Sequence, residues 1–199
     1  MILEALVSTT NPDGTARVAP MGPHVEPNMT QFTLRPFPTS RTYQNLLKHG
    51  EGVLHVTDDA LLLAKAAVGV ADSRQKMRAA EFVRGYVLTN CCRYFEFRVR
   101  SVEATEPRVT VVADVIHVGK LRDFWGFNRG KHSVLEAAIL STRLHLLPSE
   151  DVAAEFQKLR VIVEKTGGPD ELEAMAFLDE YRVKFHHELA AISNGGSAE

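Results

Sequence analysis

Two neighbouring runs of β-type sequence, residues 93–102 and 108–118, constrain the fold of this chain more than any other feature. In the first run, polar residues alternate with apolar ones such as Phe95 and Phe97, and a period of two is typical of a strand with two different faces. The second run is rich in β-branched residues, and Glu106-Pro107 lies at the joint. Together the two runs predict a long β-hairpin.

The N-terminal half adds shorter strands and one helix. A first strand runs into Asn11-Pro12-Asp13-Gly14, which is strong turn chemistry because proline presets φ and glycine accepts a positive φ. Either Thr39 or Ser40 is expected to be the N-cap of the helix. The predicted elements are strands over 2–10, 15–21, 31–35 and 52–57, a helix over 40–49, and a mostly helical insertion over 59–92.

The character of the sequence changes after Trp125, where helical patterns replace β-type ones. Ser133 and Glu136 match a capping box, Ser149 is positioned to cap a second helix, and Pro169 suits the first position of a third. The apolar stripes of the last two helices, which predict an antiparallel pair, are Val152-Phe156-Leu159-Val163 and Ala174-Leu178-Tyr181-Phe185-Ile192.

This pattern predicts an α+β protein with a mainly antiparallel domain over 1–127 and a three-helix subdomain over 128–199. The link between them contains Phe124, Trp125 and Phe127 and no flexible Ser/Gly run. An aromatic link is more typical of a packed seam than of a hinge, so we expect the helices to pack on the β-domain.

Composition excludes several classes of function. The 199 residues carry a net charge of −2, so no basic field predicts binding to nucleic acid or to an anionic membrane. No apolar stretch is long enough to span a bilayer, and the N-terminus does not resemble a signal peptide, so we expect a cytoplasmic protein. The adjacent Cys91 and Cys92 are interpreted as reduced thiols, and neither they nor the histidines have the spacing of metal ligands.

Two segments have the residue types of a binding site. The segment 39–45 begins a helix, whose unpaired N–H groups and positive dipole end suit a phosphate, and Ser40, Arg41 and Thr42 add donors there. In the segment 17–22, a strand ends at Pro20-Met21-Gly22, where glycine permits close approach of a ligand to the backbone. The alternatives are an ordinary helix cap with a solvated arginine and a strand end that enters a loop.

Glu136 and Arg143 form a third candidate. They are seven residues apart, which places them on one face of a helix. This pair is interpreted either as part of a substrate or dimer-interface site, or as an ion pair that orients the helix against the barrel.

The order of these motifs resembles a family of archaeal and bacterial flavoproteins known as domain of unknown function 447. The segments that carry the resemblance are the Asn-Pro-Asp-Gly turn, Arg17–Gly22, Arg35–Leu46, Val56–Asp59, Tyr94–Phe97 and Asn128–Leu144. They span most of the chain, and the match is weakest over residues 60–92. The resemblance implies an FMN-binding split β-barrel, the fold group of the small flavin reductases and the pyridoxamine-phosphate oxidases.

In that group FMN lies at the interface of a homodimer, so the resemblance implies FMN as cofactor and a second copy as partner. The cofactor-binding residues that it implies, of which Asn45 and Thr57 are the weaker ones, are Ala19, Pro20, Met21, Gly22, Ser40, Arg41, Thr42, Asn45 and Thr57.

The resemblance also implies an oxidoreductase of the flavin-reductase type that acts on a small molecule, with a pterin- or flavin-type acceptor. The flavin would supply the hydride chemistry, so we expect neither a catalytic side chain nor a metal. The alternatives are a flavin-binding electron carrier or sensor without enzymatic activity, and an interaction protein with an empty barrel in which the helical half carries the function.

Overall fold

The computed structural model describes residues 1–70, 75–105 and 108–195. The chain divides into two compact units. The first comprises Met1–Asp58 and Asp72–Trp125, and the second comprises Asp59–Ala71 and Gly126–Glu199. The predicted division at residue 127 lies close to the one between Trp125 and Gly126, but the second unit also includes residues 59–71, which were predicted as part of an insertion in the β-domain. The predicted packing of the helices on the barrel stays a prediction.

The first unit is built on an antiparallel sheet of seven strands. Among its described residues the elements are β1 (Ala5–Thr10), β2 (Ala16–Met21), β3 (His24–Val25), β4 (Gln31–Leu34), α1 (Arg41–His49), β5 (Glu51–Val56), β8 (Arg93–Thr105) and β9 (Arg108–Lys120), with a separate hairpin of β6 (Met77–Ala79) and β7 (Tyr86–Leu88). The strand order is β2-β1-β5-β8-β9-β4-β3. The predicted elements of the N-terminal half are confirmed to within a few residues, and the short β3 was not predicted.

The sheet curls until its two ends approach each other. Ile2 forms a bridge with His24 of β3, the Leu3 N–H donates to the Pro23 carbonyl at 3.2 Å, and the Val25 N–H donates to the Met1 carbonyl at 2.8 Å. These contacts join the start of the chain to the far edge of the sheet. The result is a half-open antiparallel barrel with an apolar core, as the split-barrel prediction requires.

The long hairpin of β8 and β9 is confirmed, and each strand has 13 residues. Its pairing shifts register between Glu96 and Phe97 and again between Val99 and Ser101. Bulges of this kind increase the local twist, which helps a sheet to curl. The expected joint at Glu106-Pro107 lies outside the described residues.

The prediction of a mostly helical segment over 59–92 is wrong. Only Ala60–Ala67 is a helix, α2, and the β6–β7 hairpin follows it; residues 71–74 lie outside the described part of the chain. A buried carboxylate explains the hairpin, because Glu96 accepts the backbone N–H groups of Glu81, Phe82 and Val83 at 2.6–3.1 Å. Helix propensity is a weak prior that such a tertiary contact overrides.

The second unit contains α2 and three further helices, α3 (Arg129–Ser141), α4 (Ser149–Thr166) and α5 (Pro169–Gly195). The three predicted C-terminal helices are confirmed, and the two predicted apolar stripes supply much of one buried cluster. Ala60, Leu61 and Ala64 of α2 belong to the same cluster.

Two of the predicted helix caps are wrong. Asn128 caps α3 by accepting the Lys131 N–H at 3.0 Å, and Ser133 lies buried inside the helix. Helix α4 begins at Ser149 itself, so that the residue in the cap position is Pro148, which forms no side-chain cap bond. The first turn of α3 packs closely on Gly167, because a Cβ atom on Gly130 would lie 2.8 Å from the Gly167 Cα, so position 130 requires glycine.

Candidate functional site

Strand β2 forms one edge of the barrel sheet, and none of the described strands pairs with its outer side. It pairs with β1 so that Arg17 lies opposite Thr9, Ala19 opposite Val7 and Met21 opposite Ala5. Opposite residues of an antiparallel pair project to the same face, so these three β2 side chains share the face of β1 that bears Thr9 and Val7. Pro20 projects to the other face and is exposed.

Helix α1 is attached to that same face. The side-chain amide of Asn45 donates to the Thr9 hydroxyl and to the Asn11 side-chain oxygen, each at 3.0 Å. Tyr43 and Leu46 of the helix belong to the same buried cluster as Val7. The helix therefore covers the side of β1 next to which Arg17 lies.

The N-terminus of α1 is formed as the sequence predicts. Ser40 is the N-cap, and its side-chain oxygen accepts the Tyr43 N–H at 3.2 Å. Thr42 and Asn45 are buried, and Arg41 is exposed. Hydrogen bonds from Thr15 lower the pKa of Asp13 in the β1–β2 turn, and the positive charge of Arg41 contributes to the lowering. Arg41 therefore lies close enough to this turn to interact with it electrostatically.

Arg17 is a candidate that the sequence reasoning did not include among the binding residues. Its side-chain Nε is buried and has no hydrogen-bond partner within the described structure. A buried N–H of a charged group without an acceptor is costly, so its position favours an anionic ligand. The sequence feature that could have indicated Arg17 as a binding residue is its position at the start of the Arg17–Gly22 motif.

The remaining predicted residues lie towards the opposite end of β2. Arg17 and Met21 are separated by about 13 Å along an extended strand. Gly22 follows Met21, and a Cβ atom there would lie 3.0 Å from the Ile2 side chain. Thr57 is buried just after β5, whose His55 pairs with Leu6 near this same end of β1. The structure thus groups Ser40, Arg41, Thr42, Asn45 and Arg17 near one end, and Met21, Gly22 and Thr57 near the other.

The opposite face of β1 carries the β6–β7 hairpin. The Ser8 hydroxyl donates to the Tyr86 carbonyl at 2.5 Å, and the Thr10 hydroxyl donates to the Arg84 carbonyl at 3.1 Å. A cavity of about 320 Å³ lies between this hairpin and the β1–β2 turn. None of the predicted binding residues lines this cavity.

His55 is completely buried and has a structural role. Its Nε2 accepts the Leu88 N–H at 3.1 Å, so the hydrogen is on Nδ1, which faces the Leu6 carbonyl at 3.3 Å. Burial lowers the pKa of His55 to about 3, because desolvation disfavours the charged imidazole. The residue is therefore neutral near pH 7 and joins β5 to the β6–β7 hairpin.

The two cysteines are free and buried, as the sequence predicts. Burial raises the pKa of Cys91 to about 12 and also raises that of Cys92. Because the thiolate is the reactive form, neither thiol has the properties of a nucleophile. Cys92 donates from its sulfur to the Asp58 carboxylate at 3.6 Å, and Asp58 also accepts the Trp125 N–H at 3.1 Å.

Neither metal chemistry nor a membrane span is indicated by the described residues. They contain no group of three or more histidine, cysteine or acidic side chains arranged to hold a metal ion. In the same part of the chain, no helix has both the length and the apolar character needed to cross a bilayer.

Glu136 and Arg143 are both exposed. Helix α3 ends at Ser141, so Arg143 lies in the turn that follows it. Within the described structure no ion pair joins these two side chains, and the interpretation as an internal ion pair is therefore wrong.

Comparison with solved structures supports the barrel assignment. An FMN-bound protein of Methanosarcina mazei superposes with a TM-score of 0.77 at 23% identity, over 90% of this chain and 94% of that one. A Thermus thermophilus FMN-binding protein, solved with bound cyclohexenone, gives a TM-score of 0.50 at 14% identity, over 59% of this chain and 70% of that one. A Streptomyces globisporus NADH:FAD oxidoreductase gives a TM-score of 0.51 at 10% identity, over 60% of this chain and 71% of that one.

Comparison with family models covers nearly the whole chain. The model described as the N-terminal domain of a protein of unknown function, DUF447, matches residues 3–122, and a second DUF447 model matches residues 128–180. The M. mazei protein carries the same family designation. The chain therefore belongs to the DUF447 family.

Proposed function

We propose that this protein binds FMN along the edge strand β2, with the phosphate at the start of α1. The observation that carries the proposal is the group formed by Arg17 and the N-terminus of α1. Ser40, Arg41 and Thr42 supply donors at a helix start, and the buried Nε of Arg17 lacks an acceptor that a phosphate would provide. The FMN bound to the M. mazei relative supports the choice of ligand.

The far end of β2 suits the isoalloxazine ring. Ala19, Met21 and Gly22 are half-buried, and an edge strand has backbone N–H and C=O groups that do not pair with β1. Such groups can recognise the polar edge of a flat ring, while Met21 and Val56 offer apolar contact. Thr57 and Pro20 complete this proposed end of the site. Bound FMN would supply electron or hydride transfer, and the protein would bind and orient it.

A comparison of FMN with riboflavin tests the phosphate assignment. Wild-type apoprotein should bind FMN far more tightly than riboflavin. Arg17→Ala should weaken FMN binding about ten- to a hundredfold, the effect of losing a hydrogen bond to a charged group, and leave riboflavin binding nearly unchanged. Arg41→Ala should cause a smaller loss because Arg41 is exposed.

Lys48→Ala is a matched control, because Lys48 is an exposed cation near the other end of α1. It should leave the affinity for both flavins unchanged. Equal affinities of the wild-type protein for FMN and riboflavin would exclude the phosphate site, and so would equal effects of Arg17→Ala and Lys48→Ala.

We further propose that the protein is a homodimer with FMN at the subunit interface and that it acts as an oxidoreductase on a small molecule. The open outer edge of β2 and the exposed Pro20 and Arg41 support a site that a second copy completes. The oxidoreductase among the similar structures supports the reaction class.

Two measurements test these finer proposals. Sedimentation of the flavin-loaded protein at micromolar concentration should give a dimer, and a stable loaded monomer would contradict the interface. Steady-state oxidation of NADH or NADPH with a flavin acceptor should exceed the rate with free FMN alone. A protein that binds FMN without any such rate would instead be an electron carrier or sensor.

A further inference from the structure

Helix α3 has two different faces. The inward face is made of small and apolar residues, and Gly130, Val134 and Ala137 are fully buried against the other helices of the second unit. The outward face bears His132 and Glu136, which are exposed and four residues apart, and the exposed Arg143 follows in the turn after the helix, seven residues beyond Glu136. The Thr142 N–H still donates to the Ala138 carbonyl at 3.2 Å, and the Arg143 N–H donates to the Leu140 carbonyl at 2.9 Å, so a tighter turn holds Arg143 directly after the helix.

Among the described residues, neither the Glu136 nor the Arg143 side chain forms a hydrogen bond or an ion pair. Seven residues correspond to about 10 Å along a helix axis, whereas ion pairs within a helix form between residues three or four apart. By contrast, Lys131 of the same helix lies 3.2 Å from the Glu171 carboxylate.

The residues between the two charges complete the pattern. Ile139 and Leu140 lie midway and are half-buried. Leu140 packs at the margin of the helical core, but Ile139 does not belong to that cluster. The face therefore has an apolar centre with a negative charge one turn before it and a positive charge one turn after it.

This arrangement is self-complementary. We propose that α3 pairs with α3 of a second copy, antiparallel, about a two-fold axis between Ile139 and Leu140. Such an axis exchanges positions 136 and 143, so each Glu136 faces Arg143 of the other copy, as isologous contacts require. The Ile139 side chains meet near the axis. The inference rests on the homodimer proposed above and assigns it a contact surface.

A small anion bound to one copy of the protein explains the same face less well. An anion bound by Arg143 would use neither Glu136 nor the apolar centre. Two-fold pairing instead forms two ion pairs, each between Glu136 of one copy and Arg143 of the other. A helix pair alone buries less area than a stable dimer needs, so α3 would be one part of a larger interface.

Charge reversal gives a decisive experiment, performed on the full FMN-loaded chain by sedimentation over a range of concentrations. Glu136→Arg places Arg against Arg twice, and Arg143→Glu places Glu against Glu twice. Each variant alone should dimerise about tenfold or more weakly than the wild type. An equimolar mixture of the two variants should recover dimers, since every facing pair is then Arg with Glu.

The matched controls are Glu164→Arg and Lys165→Glu, which reverse exposed charges on α4. They should neither weaken the dimer nor prefer each other in a mixture. Circular dichroism establishes that all four variants fold. Titration of the same variants with FMN and with riboflavin tests the cofactor proposal separately from the dimer proposal.

Three results would overturn the inference. Single variants that dimerise like the wild type would place the interface elsewhere, and weakened variants that fail to recover on mixing would exclude the cross-pairing. A wild-type protein that remains a monomer while it binds FMN would remove the homodimer as well, but not the flavin site.

Discussion

The Asn45 side-chain amide lies 3.0 Å from the Thr9 hydroxyl and joins helix α1 to strand β1 in a buried position. A second hydrogen bond from the same amide group reaches the Asn11 side-chain oxygen at the start of the β1–β2 turn. One side chain thus joins the middle of α1 to the strand and the turn next to the proposed phosphate end of the flavin site.

Asn45→Ala should therefore reduce both stability and FMN affinity. The change leaves the buried Thr9 hydroxyl without its donor, which costs about 1–3 kcal/mol in the free energy of unfolding. Urea denaturation and FMN titration measure the two effects. Lys48→Ala, at an exposed position of the same helix, should change neither by more than about 0.5 kcal/mol. An Asn45→Ala protein with wild-type stability would show that α1 is held mainly by its apolar contacts.

Glu96→Ala should loosen the β6–β7 hairpin. The variant removes the acceptor of three backbone N–H groups from Glu81 to Val83, and Glu96 is completely buried. We expect a loss of about 2 kcal/mol or more, because buried donors without acceptors cost about 1–3 kcal/mol each. Hydrogen exchange should accelerate at these three amides more than in β1 or β5. The exposed Glu103→Ala is the control, and unchanged exchange in the hairpin loop would contradict the assigned role.

Stability should fall as the pH is lowered from about 6.5 towards 3, and His55 is one cause. Its folded-state pKa is depressed to about 3, whereas the unfolded imidazole takes up a proton near pH 6.5. Between these values only the unfolded state binds the proton, so the folded state loses about 1.4 kcal/mol per pH unit from this group.

His55→Gln isolates that contribution. The variant is expected to be less stable at pH 7, since a buried hydrogen-bonded group is replaced, but its stability should depend less steeply on pH between 6.5 and 4. His24→Gln, at an exposed position, is the control and should keep the wild-type slope. Parallel curves for His55→Gln and the wild type would show that His55 is not buried in the neutral form.

The C-terminal helices should not fold without α2. Ala60, Leu61 and Ala64 of α2 form part of the buried cluster of α3, α4 and α5, so a fragment of residues 126–199 lacks one wall of its core. A small helical unit with an incomplete core is marginal. By circular dichroism the fragment should be largely unfolded or molten. Cooperative melting near the temperature of the intact protein would show that the three helices are sufficient.

Local sequence patterns determined much of this protein. The Asn-Pro-Asp-Gly turn, the alternation in 93–102 and the stripes of α4 and α5 predicted the main hairpins and the C-terminal helices, because the turn conformations and side-chain periodicities are set by neighbouring residues. The Ser40 cap was predicted for the same reason. Family resemblance, carried by motifs dispersed over the chain, predicted the barrel and its DUF447 membership.

Tertiary structure decided what depends on residues far apart in sequence. Glu96 stabilises the β6–β7 hairpin in a segment whose composition favours a helix. Helix α2 packs with helices more than 60 residues away in the chain because its apolar face fits their core. Arg17 became a candidate only when the pairing of β1 with β2 placed it on the face covered by α1. Long-range packing selects among conformations that local propensity separates by less than about 1 kcal/mol per residue, and for that reason these features required the folded chain.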